Sequence, residues 1–221
     1  MTGDDTRLAA TVVMTRPGPT GPEVLMLRRS AGSPAFPGMW VFPGGTVSEA
    51  DRASDGDALR AAAVREVEEE CGLVLAADDL EPLSEWLPPE QARARFRTSF
   101  YRAAYVAGEV RTDDFEVVEH AWITAAGALA RHAEGAWDFG PPTWVTLAAM
   151  ATEDSHPARE FHSHVVGSEP TILAWAGDER HPDRPGPAGA RHRITLGPRP
   201  WVYLRCNAHE PAAPEPKEAA A

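Results

Sequence analysis

Three glutamates set out the chemistry open to this chain. Glu66, Glu69 and Glu70 stand at i, i+3 and i+4 within the run Arg65-Glu66-Val67-Glu68-Glu69-Glu70-Cys71-Gly72-Leu73. On a helix that spacing brings their carboxylates to one face. Acids so crowded repel each other, which lowers stability unless something positive sits among them. Arg65 and Arg60 can answer part of the charge, and a divalent cation would answer the rest. Mg2+ is a hard ion that takes oxygen ligands in octahedral geometry, usually a few carboxylates with water and substrate phosphates. A helix face carrying three carboxylates suits such an ion.

The helix that would carry them has clear limits. Ala58 to Val64 is a run of good helix formers with apolar residues at helical spacing. Asp57 is a start signal, and Gly72 can adopt the positive φ that ends a helix, so the helix is expected over 57–71. Upstream, residues 8–14 and 23–28 read as short buried strands around the turn-rich Arg16 to Pro22. Residues 30–39 read as loop, Trp40 to Pro43 as a short extended piece leading into Gly44-Gly45, and Thr46 to Gly56 as a polar surface loop. Downstream, Leu73 to Leu75 opens an extended segment. Residues 79–90 are extended, with prolines that should keep them from a central ladder position. Residues 96–107 and 115–123 are expected strands, and helices are expected at 124–134 and 142–152, the second opening with Pro142 or Thr143. Strands and helices at irregular intervals predict an α+β sandwich with a mixed sheet.

Past residue 153 prolines, glycines and histidines scatter among three apolar runs, 171–176, 193–196 and 201–204. The expected organisation is a main domain over 1–152, a small C-terminal β extension over 153–208 packed on it, and a disordered tail over 209–221. The chain has 221 residues, 43% hydrophobic and 24% charged, which fits one domain plus an extension. No run of about 18 apolar residues exists, which argues against a transmembrane helix. The polar, acidic start Met1-Thr2-Gly3-Asp4-Asp5 argues against a targeting peptide, so a cytoplasmic location is expected. Cys71 and Cys206 form no disulfide framework or zinc spacing. A net charge of −12 argues against nucleic acid as partner, while a bound metal would still admit a nucleotide substrate.

Residues Gly45 to Leu73 resemble the Nudix box, G-x5-E-x7-R-E-U-x-E-E-x-G-U, where U is a bulky aliphatic residue. The second half matches without a gap from Arg65 to Leu73. The first half departs: Asp57 stands eight positions before Arg65 where Glu is expected, and Gly45 lies six residues too far upstream. The resemblance implies a Nudix α/β/α sandwich and a metal-dependent diphosphatase acting on a small nucleotide-derived substrate. It implies Mg2+ or Mn2+ held by Glu66, Glu69 and Glu70, with the Gly45 carbonyl as a further candidate and Arg65 orienting the carboxylates. One of the box glutamates, Glu66 or Glu69, could help to activate water. Some members take a base from elsewhere, and Glu116 and Glu119 are the candidates. An odd spacing on a strand lets only one of them face the site.

The approach to the box is similar to that of coenzyme A and acyl-coenzyme A diphosphatases. Arg29-Ser30, Gly38 and Phe42-Pro43-Gly44-Gly45 keep that signature's spacing, while Leu27 replaces a Thr and Pro34 an Arg. This implies substrate contacts from Arg28, Arg29, Trp40 and Gly44. Coenzyme A carries a 3′-phosphate that a guanidinium can grip in bidentate fashion, and Arg28, Arg29 or Arg52 could do so. ADP-ribose, NADH or a dinucleotide is the alternative substrate, and a non-catalytic nucleotide-sensing Nudix module the alternative class. Trp40, Trp86 and Trp122 are either core residues or stacking platforms for adenine, with Trp40 placed best. Cys71 reads as a small buried residue. His162 and His164 form a His-x-His pair that reads as surface or packed histidines unless a third ligand joins them. The extension is free to shape the pocket or a homodimer interface.

Overall fold

The computed structural model describes residues 6–54, 56–92, 95–112, 115–152 and 159–206. It divides the chain into two compact units, Met1–Phe161 and His162–Ala221. The junction expected at 153 and the tail expected at 209–221 fall outside the described residues.

In the first unit, β1 (Arg7–Arg16), β2 (Glu23–Arg29), β3 (Trp40–Val41) and β4 (Gly44–Thr46) precede two helices, α1 (Glu49–Arg52) and α2 (Ala58–Cys71). A single 3-10 turn at Ala77–Asp79 leads to β5 (Glu81–Leu87) and β6 (Phe96–Ala104). Then come β7 (Val117–Thr124), α3 (Ala125–Ala133), α4 (Pro141–Ala151) and β8 (Arg159–His162). The sheet runs β3-β2-β1-β6-β5-β8, with β4 also on β1 and β7 also on β2. β1 and β6 are parallel over nine residue pairs and β1–β2, β1–β4, β2–β3, β2–β7 and β5–β6 are antiparallel, so the sheet is mixed as expected.

Val12, Val13, Met14 and Val24 to Leu27 are all fully buried, consecutive residues included, so both faces of the central strands are covered. On one face α2 places Ala62, Ala63, Val67 and Cys71 against Ala10, Val12, Met14, Leu25, Leu27 and Tyr101. Burial pushes the Cys71 thiol far up, in keeping with a packing residue.

The structure differs from the expected elements in two places that bear on function. The polar stretch 46–56 contains α1, and β5 lies inside the sheet between β6 and β8 rather than at an edge. Its proline is tolerated because Pro82 sits at a register shift opposite Tyr101.

The second unit contains β9 (His164–Ser168), β10 (Thr171–Ala174), β11 (Arg191–Leu196) and β12 (Val202–Cys206) as an antiparallel sheet in the order β12-β11-β10-β9. Its centre is Trp175, Ile194 and a buried Arg193–Asp178 pair. The Arg193 guanidinium donates through Nε to Oδ2 at 2.7 Å and through Nη2 to Oδ1 at 2.6 Å.

Candidate metal centre

Strand β1 is divided lengthwise between two partners. Near its end Thr15 and Arg16 pair with β2, whereas Ala9 to Thr11 pair with β4. The backbone of β4 approaches so closely that a Cβ on Gly44 would lie 2.3 Å from the Ala10 carbonyl oxygen, and Gly44 has φ +153. Only glycine fits there. Between β2 and β4 sits Glu70 of α2. Its Oε2 accepts from the Gly44 amide at 2.9 Å, and its Oε1 lies 3.2 Å from Arg29 Nη1 at the end of β2.

The other box acids rise from Glu70 towards solvent along the same face of α2. The side chains of Glu70, Glu66 and Glu69 are 5%, 15% and 58% exposed. Glu66 lies directly over Gly45, where a Cβ would come within 2.3 Å of its carboxylate. The second glycine is therefore the floor on which Glu66 rests. Burial raises the Glu66 pKa, with Arg65 pulling it back. Burial likewise pushes Glu70 up to about 8, against the Gly44 amide and Arg29 and reinforced by Glu66 and Glu116.

Arg65 holds the outer acids. Nη1 reaches Glu69 at 2.8 Å and Glu66 at 2.9 Å, and Nη2 donates to the Thr46 carbonyl at 3.0 Å. Arg65 is itself held by Asp51, to which it donates from Nε at 3.1 Å and Nη2 at 2.9 Å, a bidentate pair. Asp51 is buried. Its Oδ2 also accepts from the Ser48 amide at 2.7 Å and hydroxyl at 2.8 Å, and the Asp51 amide donates back to Ser48 Oγ at 3.2 Å, so the two residues cap α1 reciprocally. These contacts, the Arg65 guanidinium first, hold the Asp51 carboxyl down at about 2 and raise Arg65.

Asp57, the acid counted back from Arg65, does not buttress it. It caps α2, accepting the Leu59 amide at 2.9 Å. The buttress is Asp51, six residues after Gly45, so the first half of the box is G-x5-D in register. The extra six residues fall between Asp51 and Arg65. Counting forward from Gly45 would have found it. Arg60 also leaves the acid face. It donates to the carbonyls of Ala77 and Leu80 at 2.5 and 2.7 Å and lies over the Tyr101 ring.

The two candidate acids outside the box go separate ways. Arg28 pairs across the ladder with Glu119, Nη1 to Oε2 at 3.3 Å, both half-exposed. A register shift between Arg28 and Arg29 then turns β7 so that Glu116 meets Arg29 Nη2. Glu116 is thus brought to the box acids and Glu119 is not. Arg29 is buried and bonded to two carboxylates, so it is not a free hand for substrate phosphate. Trp40 pairs with Arg28, is 3% exposed, and stacks on Trp137 with ring centroids 3.8 Å apart. It is a core residue, and Trp137, half-buried, is the ring that sequence reasoning missed. Trp86 is buried against Phe161. Trp122 lies edge-on to Tyr105 under the Arg16 guanidinium.

Asp51, Glu66, Glu69, Glu70 and Glu116 gather around two guanidiniums, Arg29 and Arg65. Carboxylate in excess, all hard oxygen donors, fits Mg2+ or Mn2+. In the second unit His164, His181 and Asp183 offer ligand-type atoms within 4.8 Å of one another, and His164 Nε2 lies 3.4 Å from Asp183. This is the third partner that His164 lacked in sequence. Yet His181 Nδ1 accepts the amides of Asp183 and Arg184 at 3.2 and 3.0 Å. The ring proton therefore sits on Nε2, and neither nitrogen has a lone pair to spare for a cation.

A mixed sheet thus carries a carboxylate-faced helix over the Gly44-Gly45 strand. Residues 5–142 match the NUDIX domain, and the chain belongs to the Nudix family as a hydrolase acting on pyrophosphate bonds. A NUDIX hydrolase from Alicyclobacillus acidocaldarius is 25% identical, covering 68% of this chain and 93% of its own, with a TM-score of 0.61. The Nudix domain of Shewanella oneidensis NrtR, solved with ADP ribose, shares the fold at 20% identity and a TM-score of 0.54, covering 69% of this chain and 90% of its own. The isopentenyl-diphosphate Δ-isomerase of Klebsiella pneumoniae is 27% identical over 152 residues, 66% of this chain and 76% of that protein. Among the described residues no helix is long and apolar enough to cross a membrane.

Proposed function

We propose that this chain is a Mg2+- or Mn2+-dependent hydrolase that cleaves the diphosphate linkage of a nucleoside diphosphate derivative. The observation that carries the reading is the graded set Glu70, Glu66 and Glu69, fixed by Gly44, Gly45 and Arg65 on one helix face. Glu66, Glu69 and Glu70 would hold the cation, with the Gly45 carbonyl as a further candidate. A cation held there would supply neutralisation of the diphosphate charge and a nucleophilic water near neutral pH. The chain's own residues do the rest. Arg65 orients Glu66 and Glu69, and Glu116 stands beside Glu70 as the candidate base.

Coenzyme A or an acyl ester of it is the substrate favoured within this reading, on the Arg29-Ser30 to Gly45 spacing alone. The names of the relatives given above do not mention coenzyme A. Arg29 is already engaged by acids, so a 3′-phosphate would fall to Arg28 or Arg52, both exposed. A panel of coenzyme A, an acyl-coenzyme A, ADP-ribose, NADH and isopentenyl diphosphate, each with Mg2+ and Mn2+, tests both levels. Release of 3′,5′-ADP from the coenzyme A esters supports the substrate, and AMP from ADP-ribose or NADH alone replaces it. Isomerisation of isopentenyl diphosphate with no cleavage of any nucleotide would overturn the hydrolase reading.

A further inference from the structure

Arg29 was expected to grip substrate, but its surroundings assign it another task. All three of its nitrogens are engaged: Nε donates to Ser33 Oγ at 3.0 Å, Nη1 lies 3.2 Å from Glu70, and Nη2 meets Glu116. Ser33 is in turn anchored to the Ala35 carbonyl at 3.0 Å, which fixes the guanidinium plane. The side chain is 10% exposed and springs from the last residue of a core strand. Glu116, by contrast, precedes β7, is half-exposed, and belongs to no helix or strand. Its backbone is tied to the same corner, since the Ser30 amide donates to its carbonyl at 2.9 Å. Without a cation between them, Glu70 and Glu116 would repel each other, and both carboxylates meet on the Arg29 guanidinium. A planar cation with diverging N–H groups can satisfy two carboxylates in a set geometry, which a lysine cannot.

We propose that Arg29 is a positioning residue that draws Glu116 onto the box helix, so that a carboxylate from outside the box completes the site. The proposal rests on the hydrolase reading for its effect on turnover, but not for the placement itself. Arg29 acts through Glu116, so the two should be coupled rather than independent.

The test is a double-mutant cycle of Arg29→Met and Glu116→Gln, read by Mn2+ affinity without substrate and by kcat and KM with ADP-ribose and a coenzyme A ester under saturating Mg2+. Partners of this kind typically change affinity or activity by about 10–100-fold. We expect Glu116→Gln to weaken Mn2+ binding or lower kcat by about tenfold or more in the native background, and by under about threefold once Arg29 is gone. Arg29→Met should lower kcat and leave KM within about threefold. Equal Glu116→Gln steps in both backgrounds would overturn the proposal, as would a raised KM with kcat kept, which would return Arg29 to substrate binding. If Arg29→Met does not fold by circular dichroism, the cycle is run with Arg29→Lys, which keeps the charge but cannot span both carboxylates. If the native protein cleaves no diphosphate at all, the hydrolase reading fails while the Mn2+ cycle still decides the role of Arg29.

Discussion

Replacing Asp51 with Asn tests the buttress at its root. In the folded protein the Asp51 carboxyl titrates at about 2 against an ordinary 3.8, with the Arg65 guanidinium the main cause. That difference corresponds to about 2 kcal/mol of stability at neutral pH. Because the folded value is the lower one, the contribution is complete above the unfolded pKa and is lost as pH falls from 3.8 through about 2. Asp51 is buried and Arg65 partly so, which places the pair between an exposed ion pair and a dry one. Urea unfolding of native and Asp51→Asn protein in chelator should show a gap of about 2 kcal/mol at pH 7 and about half of that at pH 3. With Arg65 released, Glu66 and Glu69 lose their common donor, and diphosphatase turnover should fall by about 10–100-fold. Equal stability of the two proteins at pH 7, or the same gap at pH 3, would refute the Asp51 buttress.

Asp57→Ala should cost about 1 kcal/mol through the lost cap and leave turnover unchanged, separating the two acids that the box pattern confuses. Glu69→Gln, on an exposed side chain, should keep stability within about 0.5 kcal/mol while lowering turnover by orders of magnitude, measured as melting temperature beside kcat. Gly45→Ala would push a methyl into the Glu66 carboxylate, and Mn2+ titration should show at least about tenfold weaker binding with the circular dichroism spectrum kept. The raised Glu70 carboxyl works in the opposite sense to Asp51. It titrates at about 8 when folded against 4.5 unfolded, so its stabilising contribution is lost as pH rises across that interval. Melting in chelator should fall from pH 5 to 8, and saturating Mg2+ should flatten the slope; a flat profile in chelator would count against it.

Much of this architecture could be read directly from residue types and spacing. The helix at Ala58–Cys71 had a cap, a periodic face and a terminal glycine, and the strands Glu23–Arg29 and Phe96–Ala104 had apolar runs or alternation. What escaped depended on partners far away in sequence. A four-residue helix such as Glu49–Arg52 has no periodicity to detect, and Arg65, the partner that its Asp51 holds, lies beyond an insertion. Trp40 looked available because the ring that covers it, Trp137, is remote in the chain. Arg29 looked like a phosphate ligand because nothing local shows that Glu70 and Glu116 converge on it. The prolines suggested an edge for Glu81–Leu87, but a register shift absorbed Pro82 and a strand from past residue 153 closed the far side.

The six extra residues between Asp51 and Arg65 also divide the candidate site into two pieces of chain. Gly44, Gly45 and Asp51 belong to one, Arg65 and the glutamates to the other, and they are joined by the Asp51–Arg65 salt bridge and by hydrogen bonds from Gly44 to Glu70 and from Arg65 to Thr46, rather than by a fixed count of residues. Ala53, Ser54 and Gly56, in the connecting stretch, are exposed. The stretch is thus a point where length can drift, or the chain be cut and its fragments reassembled, without changing the contacts that hold the acid face together.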